Sequence, residues 1–153
     1  MHRRSAAGRL QRCFPKARVM PVQPVFPNAT DRETHEFFKA AAEGRLVYRA
    51  CNACDHALHP PTAHCPYCGG WDTAWRQARG TGRLHTWTTV THQIHPAFPT
   101  PYTLVVVALD EAPEVRLMGH IEGAPELAAD MSMGVWFQTL PDGPTLPQWR
   151  PAA

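Results

Sequence analysis

The sequence predicts a mainly β protein made of a short N-terminal helix, a small metal-binding ribbon and a five-stranded barrel. Three observations predict it. Four cysteines stand as two Cys-x-x-Cys pairs, Cys51/Cys54 and Cys65/Cys68, with ten residues between the pairs. Five runs rich in β-branched and aromatic residues follow within about 70 residues, separated by turn-forming residues. Proline (16) outnumbers glycine (10) and charged residues make up only 18%, a balance that suits short strands and ordered loops better than long helices. The 153 residues allow one ordinary domain or two small modules.

The elements follow in chain order. Thr30-Asp31-Arg32-Glu33 has the Thr-x-x-Glu form of a capping box, so a helix is expected from Asp31 to Glu43, stopped by Gly44. Phe37, Phe38, Ala40 and Ala41 supply its apolar face. Leu46, Tyr48 and Ala50 alternate with Val47 and Arg49, the period of a half-buried strand leading into Cys51. Trp71 to Arg79 reads as a return strand with Trp71 and Trp75 in the core, and Gly80-Thr81-Gly82 breaks the pattern. The break divides a helix-and-ribbon module, residues 30–79, from a barrel module, residues 80–150. Barrel strands are expected at Arg83 to Thr91, Tyr102 to Leu109, Val115 to Ile121, Val135 to Leu140 and Leu146 to Trp149. Five such strands suit a small OB-fold Greek-key barrel, in which Ala124 to Met133 has room for a helical turn.

Charge is uneven. Residues 1–20 carry Arg3, Arg4, Arg9, Arg12, Lys16 and Arg18 and no acid, leaving nine basic against 13 acidic groups elsewhere under a formal total of +2. From Gly80 onward three basic residues face seven acidic ones, a sign that does not attract phosphate backbones and argues against a nucleic-acid partner. No run of 18 apolar residues is present, so no membrane span is expected. The basic head lacks the apolar stretch of a secretory signal, and a cytoplasmic protein is expected. Residues 1–29 read as a disordered basic tail with a free thiol at Cys13, followed by a Pro-rich linker. Met20 is a candidate natural start, and an organelle-targeting peptide is the weaker alternative.

The cysteine spacing carries the chemistry. Two residues between thiolates let both sulfurs of a knuckle reach one ion at about 2.3 Å, and two knuckles close a tetrahedron around zinc. Four thiolates leave no open position, so Zn(2+) at Cys51, Cys54, Cys65 and Cys68 is expected to be structural. Iron fits the same donor set. Two disulfides would need an oxidising compartment, and redox catalysis would need a βαβ context that is absent. His56, His59 and His64 flank the pairs as surface or supporting residues rather than ligands.

No catalytic residue is singled out. His85, His92, His95 and His120 are possible bases without a nucleophile in a recognisable motif. The loop from His92 to Pro101 is stiffened by Pro96, Pro99 and Pro101, and His92, His95, Phe98 and Tyr102 are its candidate ligand- or partner-binding residues. Trp87, Phe98, Tyr102 and Trp136 offer stacking for a nucleic acid, without the positive groove that such binding needs.

Phe37-Phe38, Glu43-Gly44-Arg45-Leu46, Cys51-Asn52-Ala53-Cys54, His59-Pro60-Pro61, Cys65-Pro66-Tyr67-Cys68-Gly69 and Gly80-Thr81-Gly82 together resemble the DUF35 family. Pro101-Tyr102, Ala108-Leu109-Asp110 and Gly134-Val135 fit its second half, so the resemblance runs over residues 28–150. Many members have Arg after the paired prolines, where this chain has Thr62. The resemblance implies an N-terminal helix, a rubredoxin-like zinc ribbon and an OB fold. It further implies a non-catalytic accessory subunit that binds a thiolase-like or other acyl-CoA-processing enzyme and helps form its acyl-CoA site. A nucleic-acid-binding zinc-ribbon/OB module and a stand-alone acyl-thioester enzyme are the alternatives.

Overall fold

The computed structural model describes residues 24–152, so the basic head with Cys13 and Met20 lies outside the described residues. The helix α1 spans His35–Ala42 and starts later than the capping-box pattern predicts. Asp31, not Thr30, gathers the free backbone donors: its carboxylate accepts from the N–H groups of Glu33 (2.9 Å) and Thr34 (3.0 Å) and from the Thr34 hydroxyl. Those bonds, led by the Thr34 hydroxyl, hold the Asp31 carboxyl below its ordinary value. Thr30 turns back instead and donates to Asn28 Oδ1. At the other end Gly44 adopts φ +73°, and the Arg45 and Gly44 N–H groups bond the Ala40 and Ala41 carbonyls, the paired closure that a left-handed residue permits.

Three strands form the ribbon sheet in the order β2-β1-β3: β1 (Val47–Cys51), β2 (Ala57–Leu58) and β3 (Thr73–Gln77). Arg49 pairs with Leu58 on one side and Trp75 on the other, which puts these three side chains on one face. Trp75 is half-buried there, whereas Trp71, expected in the core, is 74% exposed because it precedes β3 in the turn beside the cysteines.

The second sheet holds β4 (Thr81–Val90), β5 (Tyr102–Leu109), β6 (Arg116–Glu122), β7 (Ser132–Thr139) and β8 (Thr145–Pro151), ordered β6-β5-β4-β7-β8. Its ends meet. The His120 N–H donates to Gln148 Oε1 at 2.7 Å, and Gly119 lies so close to Trp149 that a Cβ there would stand 2.7 Å from Cδ1. Closure through β6 and β8 makes the five strands an OB-like barrel. Alternation along β5 aims Thr103, Val105, Val107 and Leu109 inward, where they meet Leu84, Met133 and Trp149. The buried Thr103 hydroxyl is satisfied by the Gly123 carbonyl at 2.8 Å.

The helical turn expected within Ala124 to Met133 does not form. Its backbone groups are already committed to β4: Leu84 N–H donates to the Met131 carbonyl and Asp130 N–H to the Leu84 carbonyl, both at 2.9 Å. The register of β4 against β5 shifts between Leu84 and Thr86. Leu46, Ala57 and Ala78 of the ribbon pack in the same cluster as Leu84, Val115 and Leu117 of the barrel, so one core runs through both sheets. A second, small cluster consists of Cys51, Leu58 and Cys65 with Cys54 against it.

Candidate functional site

Both Cys-x-x-Cys segments are hairpin knuckles. In the first, Asp55 takes φ +64° and the Cys51 N–H bonds the His56 carbonyl; in the second, Gly69 takes φ +75° and the Cys65 N–H bonds the Gly70 carbonyl. The turns bring four sulfurs together, all within 4.8 Å of one another. Cys51 Sγ lies 3.6 Å from Cys68 Sγ, and Cys54 Sγ 3.6 Å from Cys65 Sγ. A tetrahedral ion with bonds of about 2.3 Å has sulfur–sulfur edges of about 3.8 Å, so the four cysteines are positioned to bind one metal ion.

Backbone amides support the thiolates. The His56 N–H bonds Cys54, those of Cys68 and Tyr67 bond Cys65, and that of Gly70 bonds Cys68. Without a metal Cys54 and Cys65 are shifted in opposite directions. Burial works against ionising Cys65, but the amides of Cys68 and Tyr67 and the Cys54 thiol bring it down to about 7. At Cys54 the His56 amide favours the thiolate, yet burial and the three other thiols outweigh it and push the group up to about 12. Arg76 braces the first knuckle by pairing with Asp55 and donating to the Cys51 carbonyl.

The neighbouring histidines keep away from the sulfurs. His56 stacks on Tyr67 at 4.1 Å with Nδ1 against the Cys54 carbonyl, and His64 packs against Trp71 at 5.0 Å. The Thr62 hydroxyl donates to the His64 carbonyl.

The barrel loop brings three of its four candidate residues into one chain of rings. His95 lies 6.0 Å from Phe98, Phe98 6.5 Å from Tyr102, and Tyr102 5.2 Å from His120. His95 Nδ1 accepts the Ala97 N–H, which fixes the ring in the turn. His92 stays exposed and outside this chain. Ile94 at the loop tip is 89% exposed and Phe98 41% exposed.

From His120 an apolar groove of about 360 Å³ passes Leu104 and Met118 and reaches Phe37 and Phe38 of α1. On the far side of those two rings lies a cleft of about 170 Å³ at the joint of helix, ribbon and barrel. Its walls are the Val47, Arg49, Leu58 and Trp75 face of the ribbon, with Val115 and Leu117 as the barrel side. The Arg49 guanidinium sits 5.8 Å over the Trp75 ring and its Nε donates to Thr73. His59 edges the cleft, where burial lowers its imidazole below the ordinary value while the Arg116 backbone pulls the other way. Sequence reasoning missed the cleft, although paired periodicity had marked Val47, Arg49 and Trp75 as strand residues.

Comparison with known proteins places this arrangement. A domain family described as the rubredoxin-like zinc ribbon domain of ChsH2 matches residues 38–72, and one described as the C-terminal OB-fold domain of ChsH2 matches residues 75–138. A solved chain titled Ltp2-ChsH2(DUF35) aldolase shares 34% identity and a TM-score of 0.75 over 83% of this chain and all of its own. The protein belongs to the DUF35 family. A DUF35 protein of unknown function from Sulfolobus solfataricus shares the fold at TM-score 0.55 and 11% identity, covering 71% of this chain and 80% of its own. A Thermomonospora curvata protein named probable enoyl-CoA hydratase alpha subunit is 36% identical over 127 residues, 81% of this DUF35 chain. The chain spans 39% of that relative's length. Among the described residues of this DUF35 protein no helix is long and apolar enough to cross a membrane.

Proposed function

We propose that the chain is a non-catalytic accessory subunit that binds a thiolase-like or related acyl-CoA-processing enzyme and helps form that enzyme's acyl-CoA site. The observation that carries this reading is the 34% identity, over 83% of this chain and all of the other, to the solved Ltp2-ChsH2(DUF35) aldolase chain. In this reading the four cysteines hold one structural Zn(2+), which supplies a rigid tetrahedral cross-link and no open coordination position. Four bound thiolates with Zn²⁺ carry a net charge of −2, spread by the amides that point at the sulfurs. The chain's own residues do the rest. The proline-stiffened loop presents Phe98 and Tyr102 at low ordering cost on association, His95 lies beside Phe98, and the exposed His92 of the same loop is open to polar contact with the partner or its ligand. A reducing cytoplasm keeps the thiols available for the metal.

A hydratase-type partner is a second reading, favoured by the name of the 36% identical relative. Co-expression with a thiolase-fold aldolase and, separately, with an enoyl-CoA hydratase subunit tests both. The expected result is co-elution with the thiolase-fold protein and carbon–carbon cleavage of a CoA thioester that neither component performs alone. Co-elution with the hydratase subunit alone selects the second reading. Turnover of acyl thioesters by the isolated chain, or failure to associate with either enzyme, overturns the accessory role.

A further inference from the structure

We propose that the cleft between α1, the ribbon and the barrel is a binding site for a hydrocarbon tail of about six carbons carried on a carbonyl head, as a thioester or a free acid. Nothing in the metal centre or in the His92–Pro101 loop requires this cavity. Its volume is about 170 Å³. An apolar cavity of about 150 Å³ stays dry and accepts a benzene ring, so this one matches a six-carbon chain or ring. Phe37 and Phe38 close one side, Trp75 another, and Val115 and Leu117 form the buried base.

Polar groups are few among the lining residues, the usual composition of a small-molecule site. Arg49 is the one cation in the lining; its Nε is used by Thr73, while its terminal nitrogens donate to no side chain among the described residues. Those nitrogens suit a carbonyl or carboxylate oxygen. Burial disfavours the charged form of the neighbouring His59. The cleft is built from three elements far apart in sequence, each buried for packing at its back and open toward the others, so the cavity is a property of the assembled fold.

The thioester form of the ligand rests on the proposed acyl-CoA role; the tail itself does not. The test therefore uses the lone metal-loaded chain, so that it can fail without touching the association experiment. Acetyl-, butyryl-, hexanoyl- and octanoyl-CoA, CoA alone, and the matching free acids are titrated calorimetrically. Affinity is expected to rise about fourfold per methylene, equivalent to about 0.8 kcal/mol, up to six carbons and then to level. Arg49→Gln is expected to weaken every ligand alike and leave that slope unchanged, which a general loss of structure would not do. Val115→Phe fills the cleft and is expected to abolish the slope. Because that variant also risks the core, intermolecular NOEs from the hexanoyl methyl to the Trp75 and Phe38 rings in the parent protein provide a second measurement. Tail contacts only in the acyl-CoA arm assign the site to thioesters, and contacts in both arms assign it to the tail in either form. A flat chain-length series, or a slope kept by a folded Val115→Phe protein, or NOEs to other rings only, overturns the proposal.

Discussion

Replacing Cys65 by Ser is expected to unravel the metal end of the ribbon while leaving the barrel folded. Cys65 is fully buried, receives two backbone N–H groups and lies 3.6 Å from Cys54 Sγ. The cluster around it contains one purely hydrocarbon side chain, Leu58. Burying a Leu contributes about 1.5–3 kcal/mol, against about 10–16 kcal/mol from a structural zinc site in small ribbons and fingers. A bound zinc would therefore supply most of the cohesion of residues 51–72. Leu46, Ala57 and Ala78 belong to the barrel's core and stay anchored. In hydrogen exchange the amides of Cys51, Cys65 and Gly69, each bonded within its knuckle, should exchange at least about a hundredfold faster in the variant. Amides of Val105 and Val107, inside β5, should keep parental protection. Metal analysis should give less than one equivalent per chain. Full metal occupancy with parental protection in both knuckles would refute the four-sulfur assignment, and collapse of the β5 amides would refute the division of cohesion between metal and core.

Four further expectations follow. Zinc affinity should fall with acidification, by about tenfold per pH unit for each thiol that is protonated in the metal-free protein and ionised in the bound one. Since Cys65 ionises near 7, falling pH adds its proton to the competition there, and a zinc titration across pH 5.5–8.5 should steepen below about 7. Gly119→Ala places a Cβ 2.7 Å from Trp149 Cδ1 and 3.2 Å from its backbone nitrogen, and should cost about 1–3 kcal/mol in chemical denaturation. Gly44→Ala meets no neighbour within 4 Å but must hold φ +73°, so it should cost about 1–2 kcal/mol, seen as a melting point lower by about 2–8 °C. Phe98→Ala, at a ring 41% exposed, should weaken association with the partner enzyme by about 2 kcal/mol while moving the lone chain's melting temperature much less.

What the sequence made legible was whatever local chemistry dictates. Two Cys-x-x-Cys pairs ten residues apart point to one tetrahedral metal site, and the structure brings their sulfurs together. The β5 run was readable to the residue because its β-branched and aromatic residues are bounded by Pro101 and Asp110. Competition between nearby groups was harder to read. Thr30 and Asp31 both suit a helix start, and only the carboxylate's second oxygen, which takes the Thr34 hydroxyl, decides between them. Ala124 to Met133 had room for a helical turn, yet Leu84, 40 or more residues earlier, had taken its backbone bonds. Trp71 and Trp75 look alike in sequence; one falls in the metal turn and the other in a paired strand. The cleft was not legible because its walls come from residues 37–38, 47–58, 75 and 115–117, none of which signals the others.

The passage from ribbon to barrel takes three residues, Ala78 to Gly80, and none of them hangs free. Ala78 donates to the Leu46 carbonyl, Arg79 meets Glu111 through its backbone N–H, and the Gly80 carbonyl receives the Val135 N–H. Cutting there would strip Leu46, Ala57 and Ala78 from their neighbours Leu84, Val115 and Leu117, leaving two raw hydrophobic faces where the intact chain has one interior. The halves are therefore heritable only as a pair: a recombination event or a graft that exchanges one of them must carry matching side chains across this seam.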